Sequence, residues 1–83
     1  MASIEIYSKA VCPFCDRAKA LLKSKGAQFK EIKVDQDSEQ LNIMIERSGR
    51  RTVPQIFIND EHIGGFDDLW ALHQAGELDA KLV

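Results

Sequence analysis

Residues 4–15 have the sequence IEIYSKAVCPFC and join a short apolar segment to a pair of cysteines. The apolar segment alternates around Ile4 and Ile6, which predicts a β-strand from Ser3 to Ser8. Pro13 suits the first position of a helix, because it lacks the N–H group that would have no partner there. The order of strand, CxxC and helix therefore places two thiols at a helix N-terminus, where a disulfide between them can form and open again.

Cys12 and Cys15 are the only cysteines in the sequence. A disulfide between them would close too small a loop to contribute much to stability, so redox chemistry explains the pair better than structural cross-linking. A closed structural zinc site needs four protein ligands. The other soft candidates, His62 and His73, stand in no recognisable ligand spacing. The sequence therefore predicts a redox couple and no metal site.

The length of 83 residues predicts a single domain over residues 1–83. The 11 basic and 13 acidic residues give a net charge of −2, and the absence of a basic stripe argues against nucleic-acid binding. No apolar run approaches the roughly 18 residues of a membrane span, and there is no signal-peptide pattern. We expect a soluble cytoplasmic protein in a compartment that keeps thiols reduced, with an organelle form that has lost its targeting segment as the alternative.

The rest of the chain shows the alternating periodicities of an α/β protein. The elements expected next are a strand marked by Phe29, Ile32 and Val34 and a helix capped by Asp37 or Ser38 and ended by Gly49. A strand that starts after Pro54 and ends at Ile58, a turn at Asn59-Asp60, a short strand at 61–63, and a helix from Phe66 to Ala75 should follow. The first strand–helix–strand unit should be parallel and right-handed, and the closing hairpin antiparallel. The predicted fold is a four-stranded mixed sheet with helices on its faces.

The chemistry of the thiol pair follows from its position. An ordinary thiol, with a pKa near 8.5, is only about 3% ionised at pH 7, and the thiolate is the form that attacks disulfides. The sulfur of Cys12 should lie at the helix N-terminus, where N–H groups and the helix dipole favour the anion, and Lys9 could add positive potential. Cys15 lies one turn further into the helix and should be more covered. We therefore predict Cys12 as the nucleophile, Cys15 as the resolving thiol, and Phe14 as an apolar rim beside them and not as a core residue.

Three motifs in order make the chain similar to a known family. They are Lys9 with Cys12-Pro13-Phe14-Cys15, then Thr52-Val53-Pro54-Gln55-Ile56-Phe57-Ile58, then Gly64-Gly65-Phe66-Asp67-Asp68. Together they resemble the glutaredoxins, the glutathione-dependent thiol–disulfide oxidoreductases with the thioredoxin fold, and the length is most like the small bacterial dithiol members. The resemblance covers nearly the whole chain. It implies a thioredoxin-like fold and a cis peptide bond before Pro54.

The resemblance also implies a glutathione site. Its expected residues are Lys9, Phe14, Thr52, Val53, Pro54, Gly65, Phe66 and Asp67. Lys9 and the Thr52 hydroxyl would meet the glycine carboxylate, and the Val53 backbone would pair with the cysteinyl residue like a strand. The N–H groups at Gly65-Phe66 would hold the γ-glutamyl carboxylate, and Asp67 the ammonium.

Several neighbours of this site have a simpler interpretation. Arg51 and Gln40 could assist at the glycine end, but Arg50-Arg51 is interpreted more simply as a solvated pair. Asp68 is expected only to stabilise the helix N-terminus. The chain also departs from many dithiol members, which have tyrosine at Phe14 and cysteine at Phe66. These changes should alter substrate preference or narrow the groove without affecting the thiol chemistry.

The leading hypothesis is an enzyme that reduces protein disulfides and protein–glutathione mixed disulfides through Cys12 and Cys15. Glutathione would be its cosubstrate, with no tightly bound cofactor, and the protein would be a monomer. One alternative is an iron–sulfur protein that uses Cys12 and glutathione, although Pro13 stiffens the turn where cluster-binding members more often have a small residue. A second alternative is a thioredoxin-like electron donor reduced by a flavoprotein, which would have no need of the glutathione contacts of Lys9, Thr52 and Asp67.

Overall fold

The computed structural model describes residues 2–83. The elements in chain order are β1 (Ile4–Ser8), α1 (Pro13–Ser24), β2 (Lys30–Lys33), α2 (Ser38–Ser48), β3 (Gln55–Ile58), β4 (Glu61–Gly64), α3 (Phe66–Gln74) and α4 (Leu78–Leu82). The sheet has the order β2-β1-β3-β4. β1 is parallel to β2 and antiparallel to β3, and β3 is antiparallel to β4. The predicted four-stranded mixed sheet is confirmed.

The two faces of the sheet carry separate apolar clusters. The larger cluster joins the sheet to α1, α3 and α4, through Ile4, Ile6, Ala18, Leu21, Leu22, Ile56, Ile58, Leu69 and Leu78. The smaller cluster joins the other face to α2, through Tyr7, Val34, Met44 and Phe57. Alternate residues of β1 and β3 point to opposite faces, so these two central strands are buried on both sides. Helices therefore cover both faces, as predicted.

A buried polar group ties α1 to the sheet near the cysteines. The Ser8 hydroxyl, which has no solvent exposure, donates a hydrogen bond of 2.7 Å to Glu31, and the Lys19 ammonium lies 2.9 Å from the same carboxylate oxygen. The hydrogen bonds from Lys19 and Ser8 lower the pKa of Glu31, and the bond to Glu31 raises the pKa of Lys19. These contacts join the end of β1, β2 and the middle of α1, and so hold α1 beside the sheet.

The ends of α2 and the hairpin follow local sequence signals. Asp37 caps α2, accepting N–H bonds from Glu39 at 3.1 Å and Gln40 at 3.3 Å, and so is the cap of the two residues predicted. Asn59 and Asp60 have φ angles of 51° and 67°, as a tight turn between antiparallel strands requires. The antiparallel pairing of β3 with β1 sets Gln55 opposite Tyr7, which places the start of β3 beside the end of β1, from where the chain leads into α1.

Within residues 2–83, no helix combines the length and the apolar character that crossing a membrane would need.

Candidate active site

Cys12 is the N-cap residue of α1. Its backbone is extended, and its Sγ accepts a hydrogen bond of 3.2 Å from the Cys15 N–H. The two sulfurs are joined in a disulfide, so this is the oxidised form. Cys12 is 6% exposed and Cys15 is fully buried, which agrees with the prediction that Cys15 is the more covered thiol. The sulfur of Cys12 thus occupies the place that a side-chain oxygen takes at an ordinary helix N-terminus.

The residue before the thiol pair adopts an unusual backbone conformation. Val11 has a φ of 52°, and its side chain is 95% exposed. A left-handed conformation is a genuine outlier for a β-branched residue and costs on the order of 1–3 kcal/mol. Sequence analysis missed this feature, because valine is among the residues least suited to it. The turn places an exposed apolar side chain directly beside Cys12.

The segment before β3 flanks the same sulfur. The Val53–Pro54 peptide bond is cis, as the family resemblance implied. The Val53 carbonyl oxygen lies 4.0 Å from Cys12 Sγ. The backbone of Val53 is therefore adjacent to the atom that a disulfide substrate must reach.

A groove of about 210 Å³ opens beside this segment. It is lined by Phe14, Arg50, Thr52, Val53, Pro54, Gln55, Gly65, Phe66, Asp67 and Asp68. Every predicted glutathione-binding residue except Lys9 contributes to it. The groove thus brings together three segments that are distant in the sequence: the start of α1, the residues before β3 and the start of α3.

Lys9 lies in an adjoining depression of about 380 Å³. The two hollows share Thr52 and Val53, and Arg51 also lines the second one. Lys9 therefore lines the neighbouring hollow and does not line the groove itself. Gln40, the second-helix candidate, lines neither hollow.

The N-terminus of α3 forms one wall of the groove. Gly65 is its N-cap residue and has no side chain, so it makes no side-chain cap. The Asp68 carboxylate accepts a hydrogen bond of 2.9 Å from the Gly65 N–H. The N–H groups of Phe66 and Asp67 have no intrahelical partner, because the first turn of any helix leaves its donors unpaired. Within residues 2–83, the Asp67 carboxylate makes no ion pair.

Asp68, unlike Asp67, forms an ion pair within the described residues. Arg50 lies 3.3 Å from its carboxylate, across the end of the groove. The Gly65 N–H bond lowers the pKa of Asp68 most, and Arg50 lowers it further. Arg50 is exposed, as expected for a solvated Arg50-Arg51 pair, and it also forms this ion pair, which the sequence did not predict. Asp68 contacts the N-terminus of α3, where it was predicted to act. A Cβ at Gly64, where φ is 120°, would clash with this carboxylate, so the close approach requires glycine.

Aromatic side chains form the outer rim of the site. Phe14 is 50% exposed, which supports the rim over the core interpretation. Its ring lies 6.2 Å from that of Phe66, whose ring is 6.0 Å from Trp70. The guanidinium of Arg17 lies 5.2 Å from the centre of the Phe14 ring. Trp70 is 43% exposed and extends the rim along α3.

Gln55 lines the groove and His62 contacts Gln55, but sequence analysis assigned neither residue to the site. Gln55 is 1% exposed and makes hydrogen bonds to Thr52 and to His62. The available signal was a polar residue directly after Pro54, at the head of a strand that is otherwise apolar. His62 is half-buried on β4, lies outside the groove lining, and is hydrogen-bonded to Gln55.

The residues that the structure describes contain no group of three or more histidine, cysteine or acidic side chains that could hold a metal ion.

Comparisons with known proteins agree with this site. A family profile described as Glutaredoxin matches residues 4–63. Glutaredoxin 3 of Escherichia coli (strain K12) is 57% identical over 82 residues, covering 99% of each chain. The solution structure of glutaredoxin from Brucella melitensis is 52% identical, with a TM-score of 0.87 over 99% of this chain and 89% of that one. The crystal structure of a buckwheat glutaredoxin–glutathione complex is 34% identical, with a TM-score of 0.89 over 98% of this chain and 76% of that one.

The family profile spans most of the chain, the relatives match nearly all of it, and the paired thiols cap a helix beside a cis-proline segment. The chain therefore belongs to the glutaredoxin family and is a dithiol, glutathione-dependent thiol–disulfide oxidoreductase.

Proposed function

We propose that the enzyme reduces protein disulfides and protein–glutathione mixed disulfides, with Cys12 as the attacking sulfur and Cys15 as the resolving one. The observation that carries the assignment is the position of Cys12 Sγ as the cap of α1, 3.2 Å from the Cys15 N–H. In the reduced enzyme that N–H and the helix dipole stabilise a thiolate at Cys12. Among residues 2–83, no N–H group donates in the same way to the sulfur of Cys15, which is fully buried inside the first turn.

A mixed disulfide requires only Cys12. Its thiolate attacks the glutathione sulfur, the protein thiolate leaves and takes a proton, and Cys12 becomes glutathionylated. The thiolate of a second glutathione attacks the sulfur of the bound glutathione, which releases oxidised glutathione and restores the Cys12 thiolate.

A protein disulfide requires both cysteines. Cys12 attacks one sulfur of the substrate disulfide, the other sulfur leaves as the first thiolate and takes a proton, and Cys12 is left in a mixed disulfide with the protein. Cys15 loses its proton and attacks Cys12 Sγ, which releases the second substrate thiolate and leaves the Cys12–Cys15 disulfide present in this structure. Two glutathione molecules then reduce that disulfide. The thiolate of the first attacks Cys12 Sγ, which forms a mixed disulfide with Cys12 and frees the Cys15 thiol. The thiolate of the second attacks the sulfur of the bound glutathione, and the two leave as oxidised glutathione.

We infer a placement for glutathione from the groove. Its γ-glutamyl carboxylate would accept hydrogen bonds from the unpaired N–H groups of Phe66 and Asp67, where the α3 dipole favours an anion. Its ammonium would meet the Asp67 carboxylate, since Asp68 is already engaged by Gly65 and Arg50. The similar buckwheat structure is a glutaredoxin–glutathione complex, which supports this use of the fold.

The other end of glutathione would extend towards Cys12. The cysteinyl residue would lie along the Val53 backbone, whose carbonyl is 4.0 Å from Cys12 Sγ. The glycine carboxylate would meet the Thr52 hydroxyl and the Lys9 ammonium. Lys9 can reach it from the adjoining depression, because that depression shares Thr52 and Val53 with the groove.

Protein substrates would approach over the exposed rim of Val11 and Phe14. We further propose that residues 1–83 act as one domain, as a monomer in the cytoplasm. One sheet shared by both apolar clusters supports the single domain. A reducing compartment suits a thiol pair that must be returned to its reduced state.

The test is a glutathione-coupled assay, with glutathione reductase and NADPH, on a small glutathione mixed disulfide and on a protein disulfide. We expect Cys15→Ser to keep most activity on the mixed disulfide and to lose most activity on the protein disulfide. Cys12→Ser should lose both activities, and it serves as the reference for complete loss. Equal loss of the two activities in Cys15→Ser would show that the division of roles is wrong.

A further inference from the structure

Gln55 is a buried polar side chain that is hydrogen-bonded to Thr52 and His62 and not to the cysteines. It begins β3, a strand in which every position is buried, and only 1% of its surface is exposed. Its Nε2 lies 3.0 Å from the Thr52 carbonyl oxygen and 3.3 Å from Thr52 Oγ1, and its Oε1 lies 2.7 Å from His62 Nε2. All the polar atoms of the amide are therefore satisfied within the chain.

The chemistry of these partners determines the direction of each hydrogen bond. A backbone carbonyl can only accept, so the amide atom that faces the Thr52 carbonyl must be the nitrogen. The amide oxygen of Gln55 then faces His62, and it needs a donor there. His62 must consequently carry a proton on Nε2. His62 therefore donates a hydrogen bond to Gln55, and Gln55 donates hydrogen bonds to Thr52.

This direction has a consequence for the Thr52 hydroxyl. Because Gln55 donates to Oγ1, one lone pair of that oxygen is used, and the hydroxyl proton is left for a different acceptor. The bond to the Thr52 carbonyl also restrains the backbone at the point where the groove and the Lys9 depression meet. An anionic acceptor lying beside Thr52 would meet a donor that is already oriented.

We propose that His62 and Gln55 are positioning residues, which hold the Thr52 hydroxyl as a hydrogen-bond donor to the glycine carboxylate of glutathione. The inference rests on the placement of that carboxylate in the proposed function. Neither residue contacts the sulfur chemistry, so their effect should fall on glutathione binding and not on the attack by Cys12.

The surroundings of His62 keep its ring neutral and oriented. Burial lowers the pKa of His62, the positive charges of Arg50 and Arg47 lower it further, and only Asp68 acts in the opposite direction. The ring therefore carries a single proton at neutral pH. Its centre lies 5.0 Å from that of Phe57, which restricts rotation of the imidazole.

The experiment compares the two histidines of the chain in the coupled assay, with glutathione as the varied substrate. His62→Phe retains the packing on Phe57 but removes the donor to Gln55, and we expect the KM for glutathione to rise about fivefold while kcat stays nearly unchanged. His73→Phe is the matched control, since His73 is also half-buried but makes no hydrogen bond to the groove residues that the structure describes, and its KM should not change. His62→Gln places an amide N–H near the position of Nε2 and should restore the KM.

A cycle with Thr52→Val tests whether His62 acts through Thr52. Thr52→Val should raise the KM by itself, and adding His62→Phe should raise it no further. Additive effects, or a normal KM in His62→Phe, would overturn the inference. If His62→Phe does not fold, His62→Asn, whose shorter side chain cannot reach Gln55, takes its place with the same expected result.

The cycle also separates this inference from the proposed function. A raised KM in Thr52→Val with a normal KM in His62→Phe would leave the glutathione placement intact and refute only the role of His62. A normal KM in Thr52→Val would refute the Thr52 contact itself, and the inference would fail with it. Nuclear magnetic resonance of the imidazole nitrogens gives an independent check, because a proton on Nδ1 in place of Nε2 would contradict the direction of the bonds.

Discussion

The helices α1 and α3 both begin at the groove, but a side chain caps the N-terminus of α1 and none caps that of α3. At α1 the cap is Cys12 Sγ, so the chain itself supplies the atom that will carry negative charge. At α3 the N-cap is Gly65, which has no side chain to supply. The first terminus activates a nucleophile, whereas the second is left open for an anion that a ligand brings.

The remaining long helix shows what an ordinary N-terminus looks like in this chain. Asp37 caps α2 with two hydrogen bonds, and it lines neither hollow of the active site. Such a cap contributes about 1 kcal/mol to stability. Among the three longer helices, α1 and α3 begin at the groove and depart from such a cap, whereas α2 begins elsewhere and has it. We interpret these two departures as serving chemistry and binding.

The largest expected effect concerns the N-terminus of α1. In the reduced Cys15→Ser variant, which keeps the backbone N–H at position 15, we expect iodoacetamide to alkylate Cys12 about 20-fold faster at pH 6 than a thiol in an unfolded peptide. An ordinary thiol is only roughly 0.3% ionised at that pH, and the lower intrinsic nucleophilicity of a stabilised thiolate offsets part of the gain. The same variant unfolded in urea is the control, and equal rates in the folded and unfolded protein would contradict activation by the helix.

A smaller effect is expected from closing the open N-terminus of α3. Gly65→Asp would supply the missing cap and compete with the ligand carboxylate for the same N–H groups, so we expect the KM for glutathione to rise about tenfold. Stability should change by only a few tenths of a kcal/mol, since glycine is itself tolerated at this position.

Gly65→Ala is the matched control for that substitution. An added Cβ would meet only the Pro54 carbonyl oxygen, at an ordinary contact distance of 3.5 Å, and alanine brings no cap oxygen. Its KM should therefore stay close to that of the parent enzyme. A similar rise in both variants would show that crowding, and not the cap, decides the affinity.

The smallest expected effect concerns Asp68, which stabilises α3 without closing its N-terminus. Its pKa in the folded protein lies below the ordinary value of 3.8, so its contribution to stability is present above about pH 4 and is lost as the pH falls through the lowered pKa. Asp68→Asn should reduce the free energy of unfolding at pH 6 by about 0.5 kcal/mol, and the difference should vanish in strong acid.

Urea denaturation of the two proteins between pH 2.5 and 6 measures that difference. The comparison isolates Asp68, because Glu31, whose pKa is also lowered, contributes equally to both proteins. A constant difference across the whole pH range would show that Asp68 does not titrate as its contacts require.

Features that depend on neighbouring residues could be predicted from the sequence. Pro13 marked the start of α1, Asp37 was one of the two residues expected to cap α2, and Asn59-Asp60 marked the hairpin turn. Each of these depends on backbone donors or φ angles within a few residues of the signal. The same reasoning predicted which cysteine would be more covered, because helix geometry places Cys15 one turn after Cys12.

Features that depend on distant residues could not be predicted in this way. The ion pair of Arg50 with Asp68 and the contact of His62 with Gln55 exist only after the hairpin and α3 have packed against the sheet. Likewise, only packing places Lys9 in a hollow that adjoins the groove and shares Thr52 and Val53 with it.

The reactive couple and the class of fold could be predicted from the amino-acid sequence, since both arise from short-range periodicity and from the chemistry of adjacent residues. Which polar groups remain open to a ligand, and which are already paired, depends on how the elements pack together. The physical reason is that a hydrogen-bond donor is free or occupied according to what the rest of the chain brings within about 3 Å of it, and no local pattern contains that information.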